Sequence, residues 1–265
     1  MLVEHAGPWG RQGLLDARLP RGVGSGLRRL ETTSGARILL IRRPDRRIHG
    51  TVSCFSIDAH PGDPWIGRTE LSRIDDALAL DPADRAMFTG SSGPLVVVCT
   101  HGRRDPCCAE RGRPLALATA EVFPEATWES THVGGDRFAG NLVVFPHGLF
   151  FGHVGAPDGA EIMRGFLRGS IALEWFRGRS SFAMPVQAAE AALRTELDLD
   201  GIDDVVLLGS ASHGGRTTCV FRSTSERTFE VVVDRTPGAP MRLTCHARAD
   251  ETPNRWSVRS VKRLA

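Results

Sequence analysis

Cys99 and Cys108 stand with eight residues between them, and His132 and Asp136 with three. Two sulfur donors, an imidazole and a carboxylate in two short clusters are the residue types that hold a metal ion or an iron–sulfur centre. The first cluster lies in CTHGRRDPCC, a polar stretch whose glycine and proline let the backbone curl and return Cys108 toward Cys99. Cys107, next to Cys108, points elsewhere, so one of the two serves as a ligand. The second cluster lies in HVGGDRF, where Gly134 and Gly135 admit left-handed backbone before Asp136. Other chemistry is open to the same residues. Cys99, Cys107 or Cys108 could serve a cluster-free thiol–disulfide oxidoreductase, and two thiolates with an imidazole and a carboxylate suit tetrahedral zinc in a structural or interaction protein. Buried cysteines and a hydrogen-bonded strand histidine account for the pattern with no site at all.

The elements that must position these donors are legible around them. The strand LVVVC ends in Cys99; PLALATAEVF follows with helical apolar spacing, then a strand in TWESTHV, a hairpin of LVVFP and LFFGHV around Pro146, His147 and Gly148, and a helix across EIMRGFLRGSIALEWF. That is the element order of a thioredoxin-like unit. The preceding region has the same order: LVEH, a helix-compatible run through Leu14, Leu15 and Arg18, and a brief helical segment reaching Leu30. ARILLIRR and TVSCFSID follow and read as a hairpin, and ELSRIDDALAL as a helix. An internal repeat is therefore expected, with HAGPWG and CTHGRR as its faint echo. After Met184, the alanine-rich PVQAAEAALRTELDLD predicts a helix; DDVVLLG, TTCVFRS, FEVVVD, MRLTC and RWSVRSV predict a small antiparallel sheet.

Composition narrows the function classes. The 265 residues are 41% apolar and 24% charged, the balance of a soluble globular chain. A net charge of +2 without a long basic run speaks against a nucleic-acid partner. No apolar run is long enough to span a bilayer, and MLVEHAGPWGRQG lacks the pattern of a secretion signal, so no membrane association and a cytoplasmic location are expected. Six cysteines, half of them within ten residues, fit metal or redox chemistry in a reducing compartment better than a disulfide framework. Cys54 and Cys219 sit in strand-like segments and read as small buried hydrophobes; Cys245 and His246 carry little signal. GVGSG (Gly22 to Gly26) lacks the lysine and hydroxyl residue of a phosphate loop, and there is no serine nucleophile elbow. No residue pattern here marks a catalyst with its own substrate.

The runs CTHGRRDPCCAE and HVGGDRFAGNLVVFPHGLFFGHV resemble the sucrase/ferredoxin-like family. The resemblance implies a thioredoxin-like ferredoxin carrying a [2Fe–2S] cluster, held in members of this type by two cysteines and two histidines at these spacings. Carried over by position, it makes Cys99 and Cys108 the thiolates and His132 the first imidazole; Asp136 stands where the second histidine is expected. The implied cofactor-binding set is Cys99, Cys108, His132 and Asp136, with Cys107, His101 or water as other fourth donors. The implied partner is a redox protein. Ligation by Asp136 would give the oxidised centre a formal charge between the two-histidine and four-cysteine cases, and a potential between theirs. Protonation of a non-ligating His132 would couple electron to proton transfer. Arg137 and Asn141 would hydrogen-bond ligands. Arg103 and Arg104 read as a docking rim, and Asp105 as part of an exposed local ion pair. The expected fold class is α/β: residues 1–88 as an N-terminal α/β region or degenerate thioredoxin-like half, 89–180 as the thioredoxin-like ferredoxin domain, and 181–265 as a small α+β extension.

Overall fold

The computed structural model describes residues 1–47 and 50–264, apart from the side chains of Ser91 and Asp136. The first half contains β1 (Leu2–Glu4), α1 (Val23–Ser34), β2 (Leu39–Arg42), β3 (Val52–Asp58), β4 (Trp65–Leu71) and the short β5 (Gly90–Ser91). The second contains β6 (Leu95–Cys99), α2 (Pro106–Val122), β7 (Thr127–Ser130), β8 (Leu142–Phe145), β9 (Leu149–Phe151), α3 (Asp158–Leu167) and β10 (Phe176–Arg179). All ten strands form one sheet, in the order β10-β9-β8-β6-β7-β2-β1-β3-β4-β5. This is a mixed α/β fold of thioredoxin-like type.

The two halves share one pairing scheme. β1 runs parallel to β2 and antiparallel to β3, which pairs antiparallel with β4. β6 likewise runs parallel to β7 and antiparallel to β8, which pairs antiparallel with β9. The halves meet where β2 and β7 pair antiparallel at Ile41↔Ser130 and Arg42↔Glu129. β6 is buried along its whole length because both faces of the sheet are covered there. Val96 and Val98 pack with Leu115, Leu142 and Ile162 beneath α2 and α3, while Leu95 and Val97 face Ile41, Phe55 and Trp128 on the other side.

Several elements differ from their sequence expectation. β2 and β3 are not a hairpin, because β1 lies between them and takes a hydrogen-bonded edge of each. The run through Leu14, Leu15 and Arg18 forms turns rather than a helix. The spacing of Leu71, Ile74 and Leu78 belongs to the end of β4 and a following 3-10 turn, Ile74–Ala79, since the exposed edge of β3 is satisfied by seven residues of β4. α3 ends at Leu167 instead of running to Trp175. Gly169 takes φ 84°, and the amides of Gly169 and Ser170 turn back to the carbonyls of Phe166 and Gly165, closing the helix. Among the described residues no helix is long and apolar enough to cross a membrane.

The C-terminal region has α4 (Met184–Leu197) packed on an antiparallel sheet of β11 (Val205–His213), β12 (Arg216–Ser223), β13 (Thr228–Pro237) and β14 (Asn254–Arg263). Val186, Ala189 and Leu193 of α4 close over Cys219, Phe221, Val231 and Val233. MRLTC is not one of its strands. It lies in the connection between β13 and β14, where an isolated bridge joins Met241 to Glu251. α4 is also tied to β10: the Glu190 carboxylate accepts from Arg179 and Arg194 at 3.0 Å each, all three side chains being buried.

Candidate metal centre

A short connection, Thr100 to Asp105, leads from β6 into α2, so Cys107 and Cys108 occupy the first helical turn rather than a loop. α2 lies across the end of β6 at very short range. A Cβ added at Gly112 would stand 2.0 Å from the carbonyl oxygen of Cys99, so only glycine permits this approach. The result brings Cys108 to Cys99, both 1% exposed. β7, parallel to β6, ends on the same side of the sheet and delivers the next residues, Thr131 and His132, to the same place. His132 Nδ1 lies 3.9 Å from Cys99 Sγ and 3.9 Å from Cys108 Sγ. The three donor atoms fall within 4.8 Å of one another.

This arrangement acts on the Cys99 thiol. Hydrogen bonding from Cys108 and then from His132 and the Val133 amide hold it well below the usual thiol range, overcoming the opposing effect of burial. A sulfur favoured as thiolate beside an imidazole nitrogen is what a metal centre requires.

The His132 loop is held from several sides. Its backbone N–H donates to His101 Nδ1 at 3.2 Å, and His101 Nε2 in turn bonds the Gly10 carbonyl at 2.8 Å. Burial lowers the His101 pKa, keeping the ring neutral and able to accept at Nδ1. Arg37 donates to the His132 carbonyl at 2.9 Å. Gly134 and Gly135 take φ 98° and 73°, the left-handed backbone expected of them, and Asn141 Nδ2 donates to the Gly135 carbonyl at 2.9 Å. Asn141 therefore supports the turn, as its carbonyl also does by accepting from the Cys99 amide. Arg137 lies over the Phe138 ring. The backbone of Asp136 opens the 3-10 turn Asp136–Phe138, and its side chain lies outside the described residues.

The structure therefore brings Cys99, Cys108 and His132 together. It turns His101 to buttressing, with both ring nitrogens engaged. The Cys107 sulfur groups instead with Asp105 and Cys245; burial, then hydrogen bonding with Cys245 and the charge of Asp105, push its pKa up to about 12. Asp105 is not in an exposed ion pair: it is 0% exposed, and both its oxygens accept the Cys245 N–H at 3.0 Å. Arg103 and Arg104 are exposed, as a rim would be. His147 packs edge-on to Phe166 and His153 to Phe138, and neither joins a donor group among the described residues.

Sequence reasoning missed Arg37, Gly112 and the contact of the Trp9 loop with His101, whose rings meet edge-to-face at 5.8 Å. The echo between HAGPWG and CTHGRR was the available signal for the last of these. His132 opens onto a polar recess of about 660 Å³ lined by Arg11, Arg28, Arg37 and Arg104, with Glu31 in it paired to Arg28. Behind the site, the buried Glu129 carboxylate accepts from Thr100 and pairs with Arg42, Arg46 and Arg113.

Residues 41–178, just over half of the chain, match the sucrase/ferredoxin-like family. The chain is similar to the Altered inheritance of mitochondria protein 32 of Meyerozyma guilliermondii, 35% identical over 74 residues that make up 24% of this chain and 26% of that protein. The match thus covers about a quarter of the relative's length. No solved structure matches the chain.

Proposed function

The chain belongs to the sucrase/ferredoxin-like family, and on that footing we propose that it is a one-electron carrier. Its [2Fe–2S] centre is held by Cys99, Cys108 and His132, with Asp136 at the fourth position. The supporting observation is the convergence of His132 Nδ1 on both buried sulfurs at 3.9 Å, with Cys99 favoured as thiolate. When bound, such a centre supplies reversible one-electron storage. The chain's own residues supply the rest. β6 and α2 fix the sulfurs in a dry floor, and His101 and Arg37 fix the imidazole by its backbone. The arginine-lined recess at His132 suits the acidic face of a redox partner, whose approach it would steer. A cytoplasmic, reducing setting is inferred from cysteine usage, half of the six cysteines being clustered at Cys99, Cys107 and Cys108.

Zinc is the second reading, favoured by the spacing. A sulfur and a nitrogen sharing one tetrahedral ion at about 2.3 Å and about 2.0 Å stand about 3.6 Å apart, near the 3.9 Å found here. Iron and sulfide counts with absorption and electron paramagnetic spectra of anaerobically purified protein separate the readings. Two irons and two sulfides per chain, with a signal on reduction, support the carrier. A colourless protein with one zinc that is lost in Cys99→Ser would overturn it.

A further inference from the structure

A second group of donors lies on the other side of the first turn of α2. Asp105, Cys107 and Cys245 place a carboxylate oxygen and two sulfurs within 4.8 Å of one another. Adjacent cysteines leave a helix in different directions, so Cys108 faces Cys99 and His132 while Cys107 faces Cys245. Cys245 comes from the connection between β13 and β14, 140 residues from Asp105 in the chain.

Asp105 distinguishes this group from a chance meeting of thiols. It is the N-cap residue of α2, yet its side chain makes no capping bond to its own helix. Both oxygens are turned instead to the Cys245 N–H. The carboxylate is 0% exposed, and among the described residues no cationic side chain pairs with it. A buried carboxylate without a countercharge is unfavourable. A divalent cation supplies that countercharge. Two thiolates and one carboxylate around such an ion leave a single net negative charge, at the end of α2 where the helix dipole favours it.

We propose that Asp105, Cys107 and Cys245 form a second metal site, for a thiophilic divalent ion such as zinc, that fastens the β13–β14 connection to the first turn of α2. Binding displaces the two thiol protons to solvent, and the fourth position is left for water. The site does not depend on what Cys99, Cys108 and His132 hold.

The test uses the full chain, stripped with chelator and titrated with cadmium, whose thiolate complexes absorb in the ultraviolet, and then with zinc. The wild-type chain is expected to bind one more equivalent than Cys245→Ser. Cys99→Ser is expected to retain that equivalent, and Cys245→Ser to retain whatever the first centre binds. Metal is also expected to protect the connection between β13 and β14 from protease in the wild type but not in Cys245→Ser. Because Cys245 is exposed, its replacement is expected to leave the fold intact, and circular dichroism checks this. Equal metal content in wild type and Cys245→Ser would overturn the proposal. A Cys107–Cys245 disulfide in metal-free protein purified without reductant would overturn it as well.

Discussion

The backbone N–H of His132 is hydrogen-bonded to the Nδ1 of His101, so one histidine of the site is held in place by another that contributes no donor to it. His101 is itself anchored across the seam between the halves, to the Gly10 carbonyl. Its replacement by alanine removes the acceptor and frees the His132 loop. Loss of metal to a chelator is expected to become about 10- to 100-fold easier in His101→Ala. His101→Asn, which restores a side-chain acceptor, is expected to recover part of the difference. Equal loss rates in wild type and His101→Ala would remove the buttressing role.

Gly112 controls the distance between Cys99 and Cys108. Gly112→Ala drives a methyl group against the Cys99 carbonyl and forces α2 away from β6. Overpacking of this kind costs about 1–3 kcal/mol, and here the displaced helix carries a proposed ligand. A lower urea midpoint together with reduced metal content is expected, read by unfolding curves and elemental analysis. Gly93→Ala, with open space around it and no left-handed backbone, is the control for a glycine that approaches nothing.

Cys54 and Cys219 should be chemically silent in the folded protein. Burial pushes their thiols up to about 12 and about 11 from the ordinary 9.0, with the charge of Glu70 adding to the effect at Cys54. Native protein near neutral pH therefore leaves both unalkylated, and denatured protein exposes both to the reagent. The sign for stability follows from the same shifts. The thiols' contribution is intact below pH 9.0, where the unfolded groups are protonated. It declines as pH rises toward about 11 for Cys219 and about 12 for Cys54. Mass spectrometry of alkylated peptides and thermal melts at rising pH check the two halves of the prediction.

Glu190 holds α4 to β10 through two buried arginines. Glu190→Ala strands both guanidinium groups, and removal of one partner from a buried ionic cluster costs about 3–5 kcal/mol. Denaturant unfolding is expected to show that loss. Glu161→Ala, whose arginine pairs are exposed, is expected to change the midpoint little.

Asp136 sets the charge of the proposed centre. If its carboxylate is the fourth ligand, Asp136→His exchanges an anionic donor for a neutral one and raises the reduction potential. Potentiometric titration of the two proteins measures the change, and identical potentials would show that Asp136 is not bound.

The parts of this protein that could be read from sequence are those whose signals are local. β6 was legible because five consecutive apolar residues leave a strand no exposed face. The turn at Gly134 and Gly135 was legible because only glycine makes that backbone cheap. β1 was recognised as an element but not placed, since nothing in three residues says that they insert between β2 and β3. α2 begins well before the apolar pattern of PLALATAEVF, because Pro106, a good first helical residue, sits in a polar stretch that reads as loop. The donors Cys99, Cys108 and His132 stood out by type and spacing. Arg37 and Asp105 did not, because their roles arise from burial and distant backbone, which residue type does not encode.

The first centre and the second group differ in when the growing chain can complete them. Gly10, Arg37, Cys99, Cys108 and His132 are all synthesised before α3, and the seam pairing of β2 with β7 is available by the time His132 emerges. Synthesis proceeds from the N-terminus and domains fold as they emerge, so the frame of the first centre, completed by Asn141 and β8, follows its last donor by only a few residues. Cys245 follows more than a hundred residues later. If both proposed sites bind metal, a nascent chain would sort its ions by timing, filling the Cys99 side of α2 before Cys107 acquires the partner that completes its own set.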